Sequence, residues 1–452
     1  MRKFVWWKTA LLVALACSNG WCGDSDSLTK TRPEMKKVIE GLKNRQSRLP
    51  LPDLSAEEVA AGRQSVNNGR LRSIYMPASW QTNNNPRPAA AGATPRQAEQ
   101  QRMNQMTSAP DYPFKTRLFW IVSRTNDCQY CLGHQELKLR RAGMTEDQIA
   151  SLDSKWSAFP ESEQAAIKFA RKLTLTPHLM TEEDIQALKK HYKDPQIIDI
   201  LQSVAGNNST NRWTASTGIP QDKSFNSDEP SQLDTPTSKE FESEVTKVAP
   251  FDYKPRPKWE PRSAVEAAIA ACQQRSAAVN LPSVQVARQV LTADTPGTTP
   301  PVWFQAMCDN PQSALRVWKL RQAIARDGKL NPNLKAMIAW VTARENRAWY
   351  AAAHAQMRAN ALGINDEKLF AIGENEEGFT PAEQATFAFV RKLTSAPHTI
   401  VDDDVAGLRK SFSDNEVAEI IFLTCDGNMF DRFTEFLRLP LEGGATKVSQ
   451  LP

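Results

Sequence analysis

The chain has 452 residues, of which 24% are charged, and a formal net charge of +5 at pH 7. This length allows about two or three domains, and so small a charge excessŸ argues against nucleic acid as a partner. Beyond the extreme N-terminus no apolar stretch approaches the roughly 18 residues that cross a bilayer. No transmembrane span is therefore expected in the mature chain.

The N-terminus has the pattern of a secretory signal peptide. Three basic residues precede an apolar run from Thr9 to Ala16, and we assign residues 1–23 to the signal. The protein is therefore predicted to be exported, either to a periplasm or to the outside of the cell. Cys17 raises the alternative of a lipoprotein, which is disfavoured because Ala14 stands three positions before it.

Two segments lack the periodicity of folded elements. Residues 82–108 are rich in Asn, Pro, Ala, Gln and Arg, and we predict a disordered insertion there. Residues 221–262 are rich in Ser, Asp, Glu, Lys and Pro, which is typical of an interdomain linker. The linker separates an N-terminal domain at 30–220 from a C-terminal domain at 263–440.

The chain contains a long internal repeat. Residues 111–220 align with 331–440 at a constant offset of 220 residues without a gap, and 27 of the 110 positions are identical. Repeats of this length are duplicated domains, since solenoid units repeat every 20–50 residues or so. The paired positions include Arg124/Arg344, Asn126/Asn346, Tyr130/Tyr350, His134/His354, His178/His398, Asn208/Asn428 and Arg212/Arg432.

Both repeats are predicted to be helical, with about six helices each. In 160–174 the apolar residues Ala166, Phe169, Ala170 and Leu173 follow the spacing of one helix face. The second repeat places Phe389, Val390 and Leu393 on the equivalent face. No alternating pattern of strand type stands out, so an all-α fold is expected.

Capping residues predict where some of these helices begin. Thr380, Pro381 and Glu383 form a capping box with proline at the first helical position. Asp194 and Asp414 are predicted N-caps of the last helix in each repeat. Asn208 and Arg212 lie one helical turn apart, and their recurrence favours a fixed contact between helices or subunits.

The stretch with reaction chemistry is Cys128-Gln-Tyr-Cys131-Leu-Gly-His134. The second repeat keeps the histidine as His354 and has alanine in place of both cysteines. A helix up to Arg124 is predicted to break, so that both cysteines lie in the first turn of the next helix. The partial positive charge there lowers a thiol pKa, and a nearby imidazole can move the proton.

Other interpretations of this motif remain open. In an exported protein the pair can be a structural disulfide, and Cys128, Cys131, His134 and His178 could supply four zinc ligands. The histidines of the two repeats can also be packing or capping residues, or the base of a reaction without thiols. The remaining mature cysteines are expected to be buried thiols or one bridge, and they are Cys272, Cys308 and Cys425.

The motif resembles the carboxymuconolactone decarboxylase superfamily, which includes the alkyl hydroperoxidase D-type proteins. The resemblance rests on the residues from Asn126 to His134, on Gly143-Met144-Thr145, on the helix at 159–174 and on Asn211-Arg212. It covers about 110 residues in each half. It implies an all-α fold of two tandem domains that forms a homo-oligomer or imitates a dimer within one chain.

The resemblance also implies an activity. In the peroxidase branch the second cysteine attacks the peroxide and the first resolves it, so Cys131 would be peroxidatic and Cys128 resolving. The substrate would be a hydroperoxide or a disulfide, a dithiol protein would be the reductant, and no cofactor or metal is required. The chain departs from the peroxidase pattern at Thr116, where that pattern has glutamate, and at Gln135, where it has histidine.

These observations favour an exported thiol-dependent peroxidase or dithiol–disulfide oxidoreductase. Its candidate catalytic residues are Cys131, Cys128 and His134, all in the N-terminal repeat. The alternatives are a non-catalytic helical module for binding or assembly with a structural disulfide, and a lyase of the decarboxylase type. The C-terminal repeat would be a degenerate partner.

Overall fold

The computed structural model describes residues 31–60, 68–81, 111–221, 235–244, 248, 255–292 and 298–442. These ranges form helices joined by loops and contain no β-strand, which confirms the all-α prediction. The signal peptide predicted at 1–23 and the insertion predicted at 82–108 lie outside the described residues. So does much of the linker predicted at 221–262.

The first half of the chain forms helices that lead into and then make up the first repeat. They are α1 (Arg32–Gly41), α2 (Ala56–Ala60), α3 (Asn68–Tyr75), α4 (Tyr112–Thr125), α5 (Gln129–Arg141), α6 (Glu146–Ser154), α7 (Glu161–Leu175), α8 (Glu182–Lys189) and α9 (Asp194–Thr217). A short 3-10 turn, Pro177–Leu179, follows α7.

The second half follows the same order after a different lead-in. Its helices are α10 (Lys239–Glu242), α11 (Arg262–Cys272), α12 (Val284–Thr292), α13 (Val302–Gln305), α14 (Pro311–Arg326), α15 (Pro332–Asn346), α16 (Trp349–Ala361), α17 (Asp366–Ala371), α18 (Pro381–Ser395), α19 (Asp402–Arg409) and α20 (Asp414–Phe436). The 3-10 turn Pro397–Thr399 follows α18.

The sequence offset of 220 residues is also a structural offset. The bounds of α5, α7 and α8 coincide with those of α16, α18 and α19 after the shift. On α7 and α18 the apolar residues predicted to share one face are all buried. Helix formation in both repeats therefore follows from the same spacing of apolar residues.

Helix starts agree with the predictions in one case and differ in another. Thr380 caps α18 in a capping box with Glu383, as expected. The prediction that Asp194 and Asp414 are N-caps was wrong, because each is the first residue inside its helix. At α20 the cap is Ser413, whose hydroxyl accepts a hydrogen bond from the backbone N–H of Glu416. The aspartates instead lie in the first turn, where the helix dipole favours a carboxylate.

The long helices α9 and α20 pack against each other at the centre of the molecule. Their arginines make reciprocal contacts: Arg212 Nη2 donates to the carbonyl oxygen of Thr394 at 2.8 Å, and Arg432 Nη2 donates to that of Thr174 at 2.9 Å. The predicted fixed contact at Arg212 is thus confirmed, and it joins the two repeats. Each arginine satisfies a carbonyl in the last turn of a helix from the other repeat.

The two repeats share one apolar core that runs through the interface between them. In that core the ring of Phe422 on α20 stacks on Trp80, with 5.5 Å between ring centroids, and meets the edge of Trp213 at 6.3 Å. Among the residues described, no helix is both long and apolar enough to cross a membrane.

Candidate functional site

The cysteine motif begins at a sharp break between α4 and α5. Asp127 has a left-handed backbone, with φ of 50°, and Arg124 Nη1 donates to its carboxylate at 3.1 Å. The break turns the chain so that Cys128 N–H donates to the carbonyl oxygen of Ser123 at 2.8 Å. Cys128 is the N-cap of α5, whereas Cys131 lies in its first turn. The prediction that both cysteines lie in the first turn was therefore wrong by one position for Cys128.

A hydroxyl on α9 connects the two sulfurs. Thr214 Oγ1 lies 3.1 Å from Cys128 Sγ and 3.1 Å from Cys131 Sγ. Both cysteines are free thiols, and only 3% and 2% of their respective surfaces is exposed. Thr214 was not identified from the sequence, although it recurs at the paired position Thr434.

The two thiols differ in their tendency to ionise. Burial raises the pKa of Cys128, but hydrogen bonds from the Cys131 thiol, from Thr214 and from the Cys131 amide, together with the charge of Arg45, outweigh it and leave that pKa lowered. Burial and the neighbouring Cys128 raise the pKa of Cys131 well above its ordinary value, against hydrogen bonds from Thr214 and Asn211. The thiolate therefore forms more readily on Cys128 than on Cys131.

An apolar cover lies over the sulfurs. Tyr130 and Ile219 are buried with the two cysteines, and Leu42 and Phe119 pack against them. Helix α1 approaches α5 at Gly133, where an added Cβ would lie 2.7 Å from Gln221 Nε2 and 2.9 Å from Ile39 Cγ2. Glycine at this position allows α1 and the residues after α9 to close over the motif.

His134 lies beside this group with contacts of its own. Its Nδ1 is 3.0 Å from the carbonyl oxygen of Tyr130 and 3.2 Å from Gln221 Nε2. Its ring packs on Tyr130 with 4.4 Å between centroids. The hydrogen-bonding side chain that reaches both sulfurs is Thr214, so an acid–base role for His134 remains a prediction.

The second repeat keeps this packing and changes its chemistry. His354 packs on Tyr350 with 4.5 Å between centroids, as His134 does on Tyr130. Its Nε2, however, lies 3.1 Å from a carboxylate oxygen of Glu442, and the Tyr350 hydroxyl donates to the same carboxylate at 2.6 Å. A histidine–carboxylate–tyrosine cluster is therefore found where the first repeat has a dithiol.

The two departures from the peroxidase pattern are buried. Thr116 Oγ1 donates to the carbonyl oxygen of Tyr112 at 2.8 Å on its own helix, and Gln135 is also buried. The carboxylate nearest in sequence, Glu136, accepts from Arg32 at 2.5 Å and from Trp120 Nε1 at 3.2 Å. Glu136 therefore joins α1 to α5 and does not replace the glutamate of the family pattern.

The zinc interpretation gains no support from the geometry. No group of three or more His, Cys, Asp and Glu side chains suited to a metal ion is found in the described ranges. His178, proposed as the fourth ligand, lies with its Nε2 2.8 Å from Arg347 Nη1. Burial and the charges of Arg347 and Arg256 lower the pKa of His178 to about 4, although Glu260 opposes them.

The other three cysteines in the described part of the chain are buried free thiols, which agrees with the first of the two expectations for them. Burial raises the pKa of Cys272 to about 11 and those of Cys308 and Cys425 to about 12. Such thiols are poor nucleophiles at neutral pH. Cys128 is thus the cysteine with the environment best suited to a thiolate.

Comparison with known proteins gives limited information. No protein-family model matches the chain. One similar protein is the uncharacterized protein YdfG of Bacillus subtilis (strain 168), which is 27% identical over 101 residues, or 22% of this chain and 68% of that protein. The matched length is close to that of one repeat, so the similarity extends over about one copy of the duplicated unit.

Proposed function

We propose that this protein is an exported dithiol oxidoreductase of the alkyl hydroperoxidase D type, within the carboxymuconolactone decarboxylase superfamily. It reduces hydroperoxides or exchanges disulfides through Cys128 and Cys131. The observation that supports this best is the placement of both thiols on the hydroxyl of Thr214 at the start of a helix. The second repeat, which has no cysteine there, completes the fold.

In the proposed reaction the Cys128 thiolate attacks a peroxide oxygen. The S–O bond forms as the O–O bond breaks, and the alkoxide takes a proton and leaves as an alcohol. The Cys131 sulfur then attacks the sulfenic acid on Cys128, which forms the disulfide and releases water. A dithiol protein reduces the disulfide by exchange. This order reverses the roles that the resemblance implies, because the lowered pKa belongs to Cys128.

The burial of the sulfurs sets a condition on this mechanism. With 3% and 2% of the two cysteines exposed, a bulky peroxide or a partner protein reaches them only when the cover of α1 and Ile219 opens. Local opening of such a cover is an ordinary equilibrium in proteins. We therefore expect turnover to depend on how firmly α1 is held.

The test is hydroperoxide consumption with a dithiol reductant by the wild type, Cys128→Ser and Cys131→Ser. We expect both variants to lose turnover, and trapping with dimedone should find a sulfenic acid on Cys128 in Cys131→Ser. Cys308→Ala removes a buried thiol elsewhere and should keep full activity. Equal rates in the wild type and Cys131→Ser would remove the peroxidase proposal.

The same burial favours one competing function, a non-catalytic module in which Cys128 and Cys131 form a structural disulfide. The two differ in reduction potential, since structural disulfides of secreted proteins have values below about −300 mV. Thiol trapping across a series of redox buffers measures this directly. A potential in the range of catalytic dithiols supports the oxidoreductase, and a much lower one supports the structural bridge.

A further inference from the structure

A cavity of about 170 Å³ lies between the two repeats, and neither cysteine of the motif lines it. Its walls come from paired positions: Arg212 and Arg432 on the central helices, and His178 and His398 in the 3-10 turns. The cavity is therefore a product of the duplication, since each repeat supplies one wall. An interface of this kind is a common place for a small-molecule site.

The lining of this cavity is strongly cationic. Four guanidinium groups border it, those of Arg212, Arg256, Arg347 and Arg432, against the single carboxylate of Glu345. Arginines that face each other in a low-dielectric space repel, and this repulsion costs free energy unless an anion lies between them. His178 adds no charge near neutral pH because its pKa is about 4.

Part of this charge is already balanced. Glu260 accepts from Arg347 Nε at 2.6 Å and from Arg256 Nη1 at 2.5 Å. Glu345 lies 3.3 Å from Arg391 Nε and 4.0 Å from Arg256 Nε. The carboxylates thus lie on the side of Arg256 and Arg347, and the positive charge that remains is concentrated toward the central helices.

Arg212 shows the imbalance most clearly. It is 1% exposed, and its Nη atoms donate to neutral acceptors, which are the backbone and side-chain oxygens of Asn208 and the carbonyl oxygen of Thr394. Its Nε is buried and has no hydrogen-bond partner. A buried guanidinium without an anionic partner is costly, and Arg432 nearby adds to the cost.

We propose that the cavity between the repeats binds a small oxyanion, a carboxylate or phosphate group on a molecule of modest size. Arginine donors match both groups in a forked geometry. A cavity of 170 Å³ is close to the roughly 150 Å³ that holds a benzene ring, so the ligand has few atoms beyond its charged group. The inference is independent of the dithiol chemistry.

Titration calorimetry on the full chain tests this site with two probes, inorganic phosphate and succinate, at constant ionic strength. We expect saturable binding of at least one probe, and a rise in melting temperature at the same low millimolar concentrations. The probe that binds more tightly identifies the preferred group. Potassium chloride at matched ionic strength should give no comparable effect.

Variants locate the binding. Arg347→Gln removes a charge at the cavity wall, where the side chain is 35% exposed and replacement is tolerable, and should weaken binding about tenfold. Arg326→Gln removes an arginine that is 71% exposed and does not line the cavity, and should bind as the wild type does. Arg212→Gln should abolish binding if the variant folds.

Three results would overturn the proposal: no saturable heat with either probe, equal affinity in Arg347→Gln and the wild type, or equal weakening in Arg347→Gln and Arg326→Gln. The double variant Cys128→Ser, Cys131→Ser should bind the anion with unchanged affinity. Loss of peroxidase activity and loss of anion binding are therefore separate outcomes.

Discussion

Thr214 has one hydroxyl hydrogen and several acceptors within reach. Besides the two sulfurs, the carbonyl oxygens of Thr210 and Asn211 lie 3.1 and 3.2 Å from its Oγ1. A hydroxyl donates once, so its hydrogen is directed to a backbone carbonyl or to a sulfur. When Cys128 ionises, the thiolate becomes the strongest acceptor, and rotation of this hydroxyl stabilises the charge without movement of the backbone.

Thr214→Val should therefore raise the pKa of the reactive thiol and slow its reactions. Valine keeps the shape and removes the hydroxyl, so the alkylation rate with iodoacetamide near pH 7 should fall severalfold, since about 1.4 kcal/mol corresponds to a factor of ten. Thr434→Val is the matched control in the second repeat, where alanines replace both cysteines. Unchanged pH dependence of alkylation in Thr214→Val would contradict this role.

Asp431 shows how one paired position differs between the repeats. In the first repeat Asn126 Nδ2 donates to Asn208 and Asn211, and in the second Asn346 Nδ2 donates to Asn428 and Asp431. The paired residues at 211 and 431 thus accept the same bond, one as an amide and one as a carboxyl. Burial raises the pKa of Asp431 to about 7, although Asn346 and Arg432 oppose it.

Asp431→Asn should change how stability depends on pH. A carboxyl whose pKa is raised on folding contributes stability that is fully present below its unfolded value near 4 and is lost as pH rises through about 7. The variant should therefore gain on the wild type between pH 6 and pH 8, by a few kcal/mol at most at about 1.4 kcal/mol per pKa unit. Urea denaturation at several pH values measures this.

The control for this experiment is Asp403→Asn, because Asp403 is exposed. It should leave the difference in unfolding free energy between pH 6 and pH 8 as in the wild type. If Asp431→Asn also leaves that difference unchanged, then Asp431 is not the group that titrates in this range.

At the scale of the elements, α1 is the part of the structure that controls access to the thiols. Arg32 holds it in place through buried ion pairs to Glu136 on α5 and to Glu146 on α6, at 2.5 and 2.8 Å. Ile39 packs against α5 where Gly133 leaves room for it. The same contacts that stabilise the first repeat therefore keep solvent from the cysteines.

Gly133→Ala should loosen this cover. The new methyl group would lie 2.9 Å from Ile39 Cγ2, so α1 must shift, and overpacking of this kind costs about 1–3 kcal/mol. We expect a lower urea midpoint and faster labelling of the two cysteines by a thiol reagent in native buffer. Labelling at the wild-type rate, with lower stability, would show that α1 does not limit access.

Gly206→Ala is a matched substitution on α9, since nothing lies within 4 Å of an added Cβ there. Alanine is favoured over glycine inside a helix by roughly 0.5–1 kcal/mol. This variant should therefore be slightly more stable and should be labelled at the wild-type rate.

At the scale of the whole molecule, the two repeats behave as one folding unit by construction. Their core is continuous, and Phe422 of the second repeat packs between Trp80 and Trp213 of the first half. The reciprocal arginine contacts add hydrogen bonds across the same interface. Neither repeat buries this surface alone, so we expect them to unfold together.

Phe422→Ala tests this coupling. Loss of a buried phenylalanine costs about 3–5 kcal/mol, and it should lower the midpoint measured by circular dichroism and that measured by labelling of Cys131 in the first repeat. Val401→Ala, at a side chain that is 46% exposed, should move neither midpoint appreciably. Two transitions, with only one shifted by Phe422→Ala, would show that the repeats fold independently.

Several features of the site could be predicted from local sequence, and others could not. The break before α5, the adjacent cysteines and the packing of His134 depend on residues within a few positions of each other. Thr214, Arg45 and Ile219 reach the sulfurs from more than 80 residues away along the chain. No periodicity links positions so far apart, because contacts of this kind are made only when helices pack.

The amino-acid sequence alone determined the helical class, the duplication and the pair of cysteines at a helix start, because each depends on spacing along the chain. The tertiary structure decided which sulfur is more acidic, how deeply both are covered and that a cationic cavity lies between the repeats. These properties follow from burial and from charges brought together in space, and neither is a property of residues that are neighbours in sequence.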